Sequence, residues 1–348
     1  MIIYWSTCFL SALFAYFSMN NKMGREHRSL TALFSAIPMI VIAAIRYDVG
    51  VDYLFTYVPY YQAVESQVLS ANSQMERLFH LVNLFVSKES LGYMFVFGIC
   101  AAIFFLACYS QIFRDSPYPA YSIFLLVGMN FVFVSFNAVR QMVGCSILLF
   151  SLRYVLEKKP VLFYLCVILA TLFHTTCLVY LIVYPFCRIK VKPIYAFLLT
   201  GVVLLSRPIL VPVIKLIILQ TPYASYFNSV FNTGRVAYVS LAIYSSIFLL
   251  ESLLFCERED YILYYNLQMI SVWVIAFTGH IVLMLRILWI FGLPSVISLP
   301  LALTNIKNQR DRLFVMAGIA TLFILYTIYT VGLQNSNGVL PYKTIFGR

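Results

Sequence analysis

Apolar runs of roughly 17 to 25 residues recur along the whole chain, from MIIYWSTCFLSALFAYFSM at the start to FVMAGIATLFILYTIYT near the end. A helix of that length crosses about 30 Å of hydrocarbon. The alternating ten-residue pattern of a membrane barrel is absent from the sequence, so spans built from these runs satisfy their backbone as helices. Composition agrees. The chain is 62% hydrophobic and 11% charged, against about 25% charged in soluble domains. The expected fold is an all-α, polytopic integral membrane protein of about 11–12 transmembrane helices, forming one multi-pass domain over residues 1–348.

The net charge of +11 does not point to nucleic acid, because the basic residues fall in small groups between apolar runs. The densest groups are NKMGREHR (21–28), RYVLEKK (153–159), CRIKVK (187–192) and NIKNQRDR (305–312), and the positive-inside rule assigns all four to the cytoplasm. The first apolar run precedes Lys22, Arg25 and Arg28. A cleaved leader carries its charges before the run, so this one reads as a retained helix with an extracytoplasmic N-terminus. The eight cysteines lie within apolar runs or at their ends, with no CxxC. They indicate neither a zinc site nor a disulfide framework.

This topology gives spans at about 2–19, 30–45, 91–112, 120–136, 138–156, 161–187, 193–219, 237–255, 261–279, 281–303 and 313–333. Residues 161–187 lie between two loops that both belong inside, which predicts a pair of short helices meeting near His174. Broken helices at that depth are buried in protein or line a wet cavity. Two extracytoplasmic loops remain, about 46–90 and 220–236. The first contains MERLFHLVNLFV, an expected interfacial amphipathic helix. The second interleaves aromatics with Asn228 and Asn232.

Costly polar groups cluster on the outer side. In IRYDVGVDY, Arg46 offers a planar fork of donors, Gly50 permits a close backbone approach, and Asp52 is the leading candidate among Asp48, Asp52, Glu65, Glu76 and Glu89. Asn137, Arg140, Gln141 and Gly144 recur at helical spacing and share a face. So do Thr171, His174 and Thr175, while Arg286 stands one turn before Trp289. Structural alternatives exist for each: snorkelling arginines, interhelical hydrogen bonds, or a packed histidine.

The order IRYDVGVDY, NAVRQ, FHTT, LMLRILWIF and VLPYK resembles the EpsG-like branch of the Wzy-type polysaccharide polymerases over nearly the whole chain. The resemblance implies a GT-C-like, lipid-using glycosyltransferase architecture in the bacterial inner membrane. It implies polymerisation, at the outer face, of O-antigen, capsule or exopolysaccharide repeat units carried on undecaprenyl pyrophosphate. A flippase and a chain-length regulator are the protein partners it suggests. Carried onto this chain, it makes Arg46, Arg140, Gln141 and Arg286 the pyrophosphate and lipid-carrier contacts, with His174 and Asp52 in the active site. Tyr53, Asn137, Tyr226 and Asn228 are the candidate glycan contacts.

The chemistry is consistent with this expectation. Fixed cations in a water-poor site stabilise the charge that develops on a diphosphate leaving group. His174 titrates nearer neutrality than a carboxylate and suits the base, with Asp52 expected to fix Arg46. Neither a GxxxxGK[ST] loop nor a D-x-D cluster occurs in the sequence, and no metal, cofactor or nucleic acid is expected. Two other readings share much of this pattern. One is a ligase of the same architecture. The other is a flippase, for which the sequence offers no internal repeat and, well inside a span, only Glu251 as a carboxylate.

Overall fold

The apolar runs fold into helices, and no strand forms among the described residues. The computed structural model describes residues 1–19, 25–68, 75–89, 92–186, 188–221, 224, 227, 238–281 and 283–347, with backbone alone for 25–29. Among the described residues, three helices are long and apolar enough to cross a membrane singly, three bent pairs are so when each pair is taken together, and five shorter apolar helices accompany them. These features are those of a multi-pass membrane protein.

Helices α1 (Ile2–Ser18) and α2 (Arg25–Ala44) form a hairpin against α5 (Tyr93–Asp115). Small residues permit the approach: the Ser11 hydroxyl donates to the Ser35 carbonyl at 2.5 Å and meets the Tyr109 hydroxyl at 2.6 Å. Beside α5 runs α8 (Val139–Leu156), buried along most of its length. The inner helix α14 (Glu259–Phe277) is buried on nearly every side, and its amides act as interhelical ties. Asn266 donates to the Ile189 carbonyl and Gln268 to that of Tyr244, each at 2.8 Å. By contrast, α9 (Pro160–Thr171), α11 (Pro193–Leu205), α12 (Arg207–Leu219), α13 (Tyr238–Leu253) and α17 (Gln309–Thr327) present exposed Leu, Ile, Val and Phe. Apolar surface that extensive belongs against lipid.

Several spans differ from straight rods. The run at 120–136 divides into α6 (Pro119–Gly128) and α7 (Phe131–Asn137), bent by 53°. Asn130 makes the corner in the left-handed region (φ 67°), which asparagine tolerates. The run at 193–219, expected to be one span, bends by 68° between α11 and α12. Pro208, in the first turn of α12, accounts for a new helix starting there. The run at 281–303 bends by 43° between α15 (Leu283–Gly292) and α16 (Ser295–Leu303). Over 161–187 the expected break is present: α9 ends at Thr171, His174 is extended (φ −159°, ψ 123°), and a 3-10 segment Thr175–Ile182 leads into α10 (Val183–Phe186).

The first long loop is folded. A π-helical turn, Tyr53–Tyr57, continues into α3 (Val58–Glu65), and α4 (Arg77–Lys88) is the expected amphipathic helix, burying Phe79, Asn83 and Val86. After a second π turn (Ile328–Leu333), the chain end returns to the first loop. Tyr47 N–H donates to the Lys343 carbonyl and Gly50 N–H to that of Gly338, at 3.0 and 2.9 Å. Two motifs nearly 300 residues apart, RYDVG and VLPYK, thereby meet.

Candidate active site

A group of polar side chains gathers at the end of α8 where that helix begins. Arg140, the second residue of α8, forms an ion pair through Nη1 with Glu76 Oε2. The other oxygen, Oε1, lies 2.6 Å from Nδ1 of His174. Glu76 thus bridges a permanent cation and an imidazole. Across the group, Gln141 donates to the Arg286 carbonyl at 2.7 Å, and Arg286 Nη1 returns a bond to Gln141 Oε1 at 3.3 Å. Asn137 accepts from the Asp52 backbone N–H at 3.4 Å and donates to the Asn337 carbonyl at 2.8 Å. Asp52, Glu76, Asn137, Arg140 and Arg286 are each half-buried, whereas His174 and Gln141 are buried.

Local structure explains each placement. Breaking the helix at residues 172–174 frees carbonyls, and Leu172 accepts the Leu78 N–H at 3.0 Å. That bond anchors α4, and with it the preceding Glu76, beside His174. Gly144 lets α8 approach the break: a Cβ there would stand 2.5 Å from Cys177 Sγ and 3.2 Å from the Ala170 carbonyl. Gly50 has φ +101°, and a Cβ there would lie 2.9 Å from the Phe136 carbonyl. The close approach expected of Gly50 is therefore to protein backbone.

Electrostatics separate the two carboxylates. Burial opposes ionisation of Glu76, but the His174 hydrogen bond and the Arg140 charge outweigh it and bring the carboxyl down to about 2. Burial raises Asp52 above the usual carboxylate range, with Arg286 and Arg140 opposing. Asp52 was expected to hold Arg46 and to be depressed by it. The cations that act on Asp52 are instead Arg286 and Arg140.

Arg46 stands apart from the cluster. It is 2% exposed, and its guanidinium donates to the Ala43 and Phe136 carbonyls and lies 4.4 and 4.6 Å from the Phe97 and Phe136 ring centroids. Tyr53 is equally enclosed, stacked on Phe97 at 4.7 Å, with its hydroxyl on the Arg46 carbonyl. Both side chains are thus enclosed by protein in this structure. Tyr226 and Asn228 lie outside the described residues. Arg207 pairs with His280 at 2.6 Å, away from the cluster.

Sequence reasoning passed over Glu76 as the central carboxylate. Its signal was present: it is one of few outer carboxylates and immediately precedes an amphipathic helix. At the opposite end of α8, about 20 Å from Arg140 by helical rise, Arg153 donates to Gln111, and Arg114 pairs with Glu157 at 2.5 Å. The predicted basic segment 153–159 and the polar cluster thus occupy opposite ends of α8.

A family model described as the EpsG family matches residues 29–344, nearly the whole chain. Searches of curated proteins and of solved structures each return no match.

Proposed function

We propose, from the premise that the chain belongs to the EpsG family of Wzy-like polymerases, that it joins lipid-linked glycan repeat units into polysaccharide at the extracytoplasmic face of a bacterial inner membrane. The architecture is that of a lipid-using glycosyltransferase, with the N-terminus and the polar cluster outside. The donor is a growing chain on undecaprenyl pyrophosphate, and the acceptor is one repeat unit on the same carrier.

The observation that carries this reading is the chain His174–Glu76–Arg140, set beside Arg286 and Gln141. Glu76 is ionised at neutral pH and accepts, so the His174 Nδ1 carries the proton. That tautomer leaves Nε2 with its lone pair, and Nε2 is buried with no hydrogen-bond partner among the described residues, so the acceptor hydroxyl reaches it once the site opens. In the reaction an acceptor sugar hydroxyl attacks the anomeric carbon of the donor. The hydroxyl proton passes to His174 Nε2, the anomeric C–O bond to the diphosphate breaks, and the lipid diphosphate leaves. Arg140 and Arg286 hold the charge that develops on that leaving group, in a site partly closed to water. Asp52 and Asn137 border the same cluster and suit contacts to sugar hydroxyls.

Deleting the gene and resolving surface glycans by length tests this. Single repeat units are expected to persist while long chains disappear. Loss of single units as well indicates a flippase, and long chains retained on the lipid carrier indicate a ligase.

A further inference from the structure

The segment that follows the second π turn is fastened to the first loop along its length. Gly50 N–H donates to the Gly338 carbonyl at 2.9 Å, and Ile345 N–H to that of Ile45 at 3.0 Å. Between them Val339 is fully buried, its carbonyl accepting from the Tyr4 hydroxyl at 2.7 Å. The turn that opens the segment is closed from within. The Asn335 amide donates to the Leu340 carbonyl at 2.7 Å and accepts the Leu340 N–H at 3.1 Å. Gly338 takes a left-handed conformation (φ +61°), and a Cβ there would stand 2.9 Å from Val51 Cγ2 and 3.3 Å from Val51 N. The segment therefore presses on the residue that precedes Asp52.

A second contact reaches Asp52 through the polar cluster. Asn137 Nδ2 donates to the Asn337 carbonyl at 2.8 Å, and Asn137 Oδ1 accepts the Asp52 N–H at 3.4 Å. A backbone carbonyl only accepts, so Asn337 decides which end of the Asn137 amide turns towards it and leaves the oxygen for Asp52. We propose that residues 335–345 are a strap that positions Asp52 for the substrate, with Asn335 and Gly338 as positioning residues. Both act through other groups: Asn335 shapes the turn, and Gly338 brings it against the loop. The inference rests on the reading of Asp52 as a contact to sugar hydroxyls. Val51 is 51% exposed, so this part of the loop has little packing of its own to hold it. A contact group fixed in advance binds with less loss of conformational freedom, which places the effect on substrate affinity.

Hydrogen exchange and kinetics on the full chain in vesicles test this together. Asn335→Ala removes both bonds that close the turn, and Gly338→Ala puts a methyl group against Val51. Either is expected to speed exchange at residues 50–57 by roughly tenfold while α8 and α14 exchange as before. Either is also expected to raise KM for the lipid-linked repeat unit by about five- to tenfold, with kcat changed less than about twofold. Adding Val51→Ala to Gly338→Ala is expected to recover part of both effects. Unchanged exchange at 50–57 overturns the strap. Faster exchange with an unchanged KM, or faster exchange in all helices alike, shows a structural tie only and overturns the positioning role. Absence of elongation by the unaltered protein overturns the polymerase reading instead, and the exchange measurement still decides the strap.

Discussion

Glu76 shows how one carboxylate can set two neighbours. Its oxygens divide between Arg140 and His174, so replacing it loosens a cation and frees an imidazole tautomer together. Glu76→Gln is expected to slow chain elongation roughly ten- to a hundredfold, the range for losing a group that orients a reactive histidine. The same variant has a pH signature. A carboxyl depressed to about 2 from 4.5 contributes stability that is complete above the higher value and lost as pH falls towards the lower. Thermal unfolding in detergent is expected to show this loss in the parent and its absence in Glu76→Gln. Arg46 calls for a different readout. Its guanidinium is enclosed by carbonyls and rings, so Arg46→Ala, which leaves a cavity and unbonded carbonyls, is expected to cost about 2–5 kcal/mol and to lower the amount of folded protein in membranes. Full abundance with lost polymer would instead return Arg46 to the reaction. The sequence could not tell this arginine from Arg140, because both stand at the outer ends of apolar runs. Burial by Phe97 and Phe136, distant in the chain, made the difference.

Among the elements, the broken segment around His174 was legible before the fold was known. If both flanking basic loops lie on one side, a single crossing does not fit between them, and that charge placement pointed to a break near His174. The 68° bend between α11 and α12 was less legible. Pro208 is compatible with a first helical turn as well as with a kink, so the Ser206–Arg207–Pro208 interruption did not by itself fix the bend. Nor did the sequence reveal that α4 delivers Glu76, since this depends on the Leu78–Leu172 hydrogen bond between distant segments. The contact between α8 and the break yields a direct test. Gly144→Ala puts a methyl group against Cys177 and the Ala170 carbonyl and is expected to destabilise by about 1–3 kcal/mol. Adding Cys177→Ala is expected to restore part of that loss. Melting temperatures of the single and double variants check both statements, and additive destabilisation would contradict the packing argument.

At the scale of the whole molecule, the helical bundle separates two chemistries along α8. The basic segment 153–159 is tied to α5 at one end, and a cluster with two arginines, a histidine and two carboxylates lies at the other. Hydropathy made the all-helical fold readable from sequence, and the order of the motifs IRYDVGVDY, NAVRQ, FHTT, LMLRILWIF and VLPYK made the family readable. The composition of the cluster was readable in part. Arg140, Gln141, Asn137, His174, Asp52 and Arg286 were singled out, whereas the enclosure of Arg46 and Tyr53 required packing to be known. The central claim is that this cluster transfers a glycan from a lipid diphosphate to a second lipid-linked unit. The most direct measurement reconstitutes the purified protein with its lipid-diphosphate-linked repeat unit and follows product mass together with released lipid diphosphate. The account requires chains of two or more units, one lipid diphosphate released per bond formed, and loss of both signals in Arg140→Ala and His174→Ala. Elongation that proceeds unchanged in those variants, or carrier release without elongation, would contradict it.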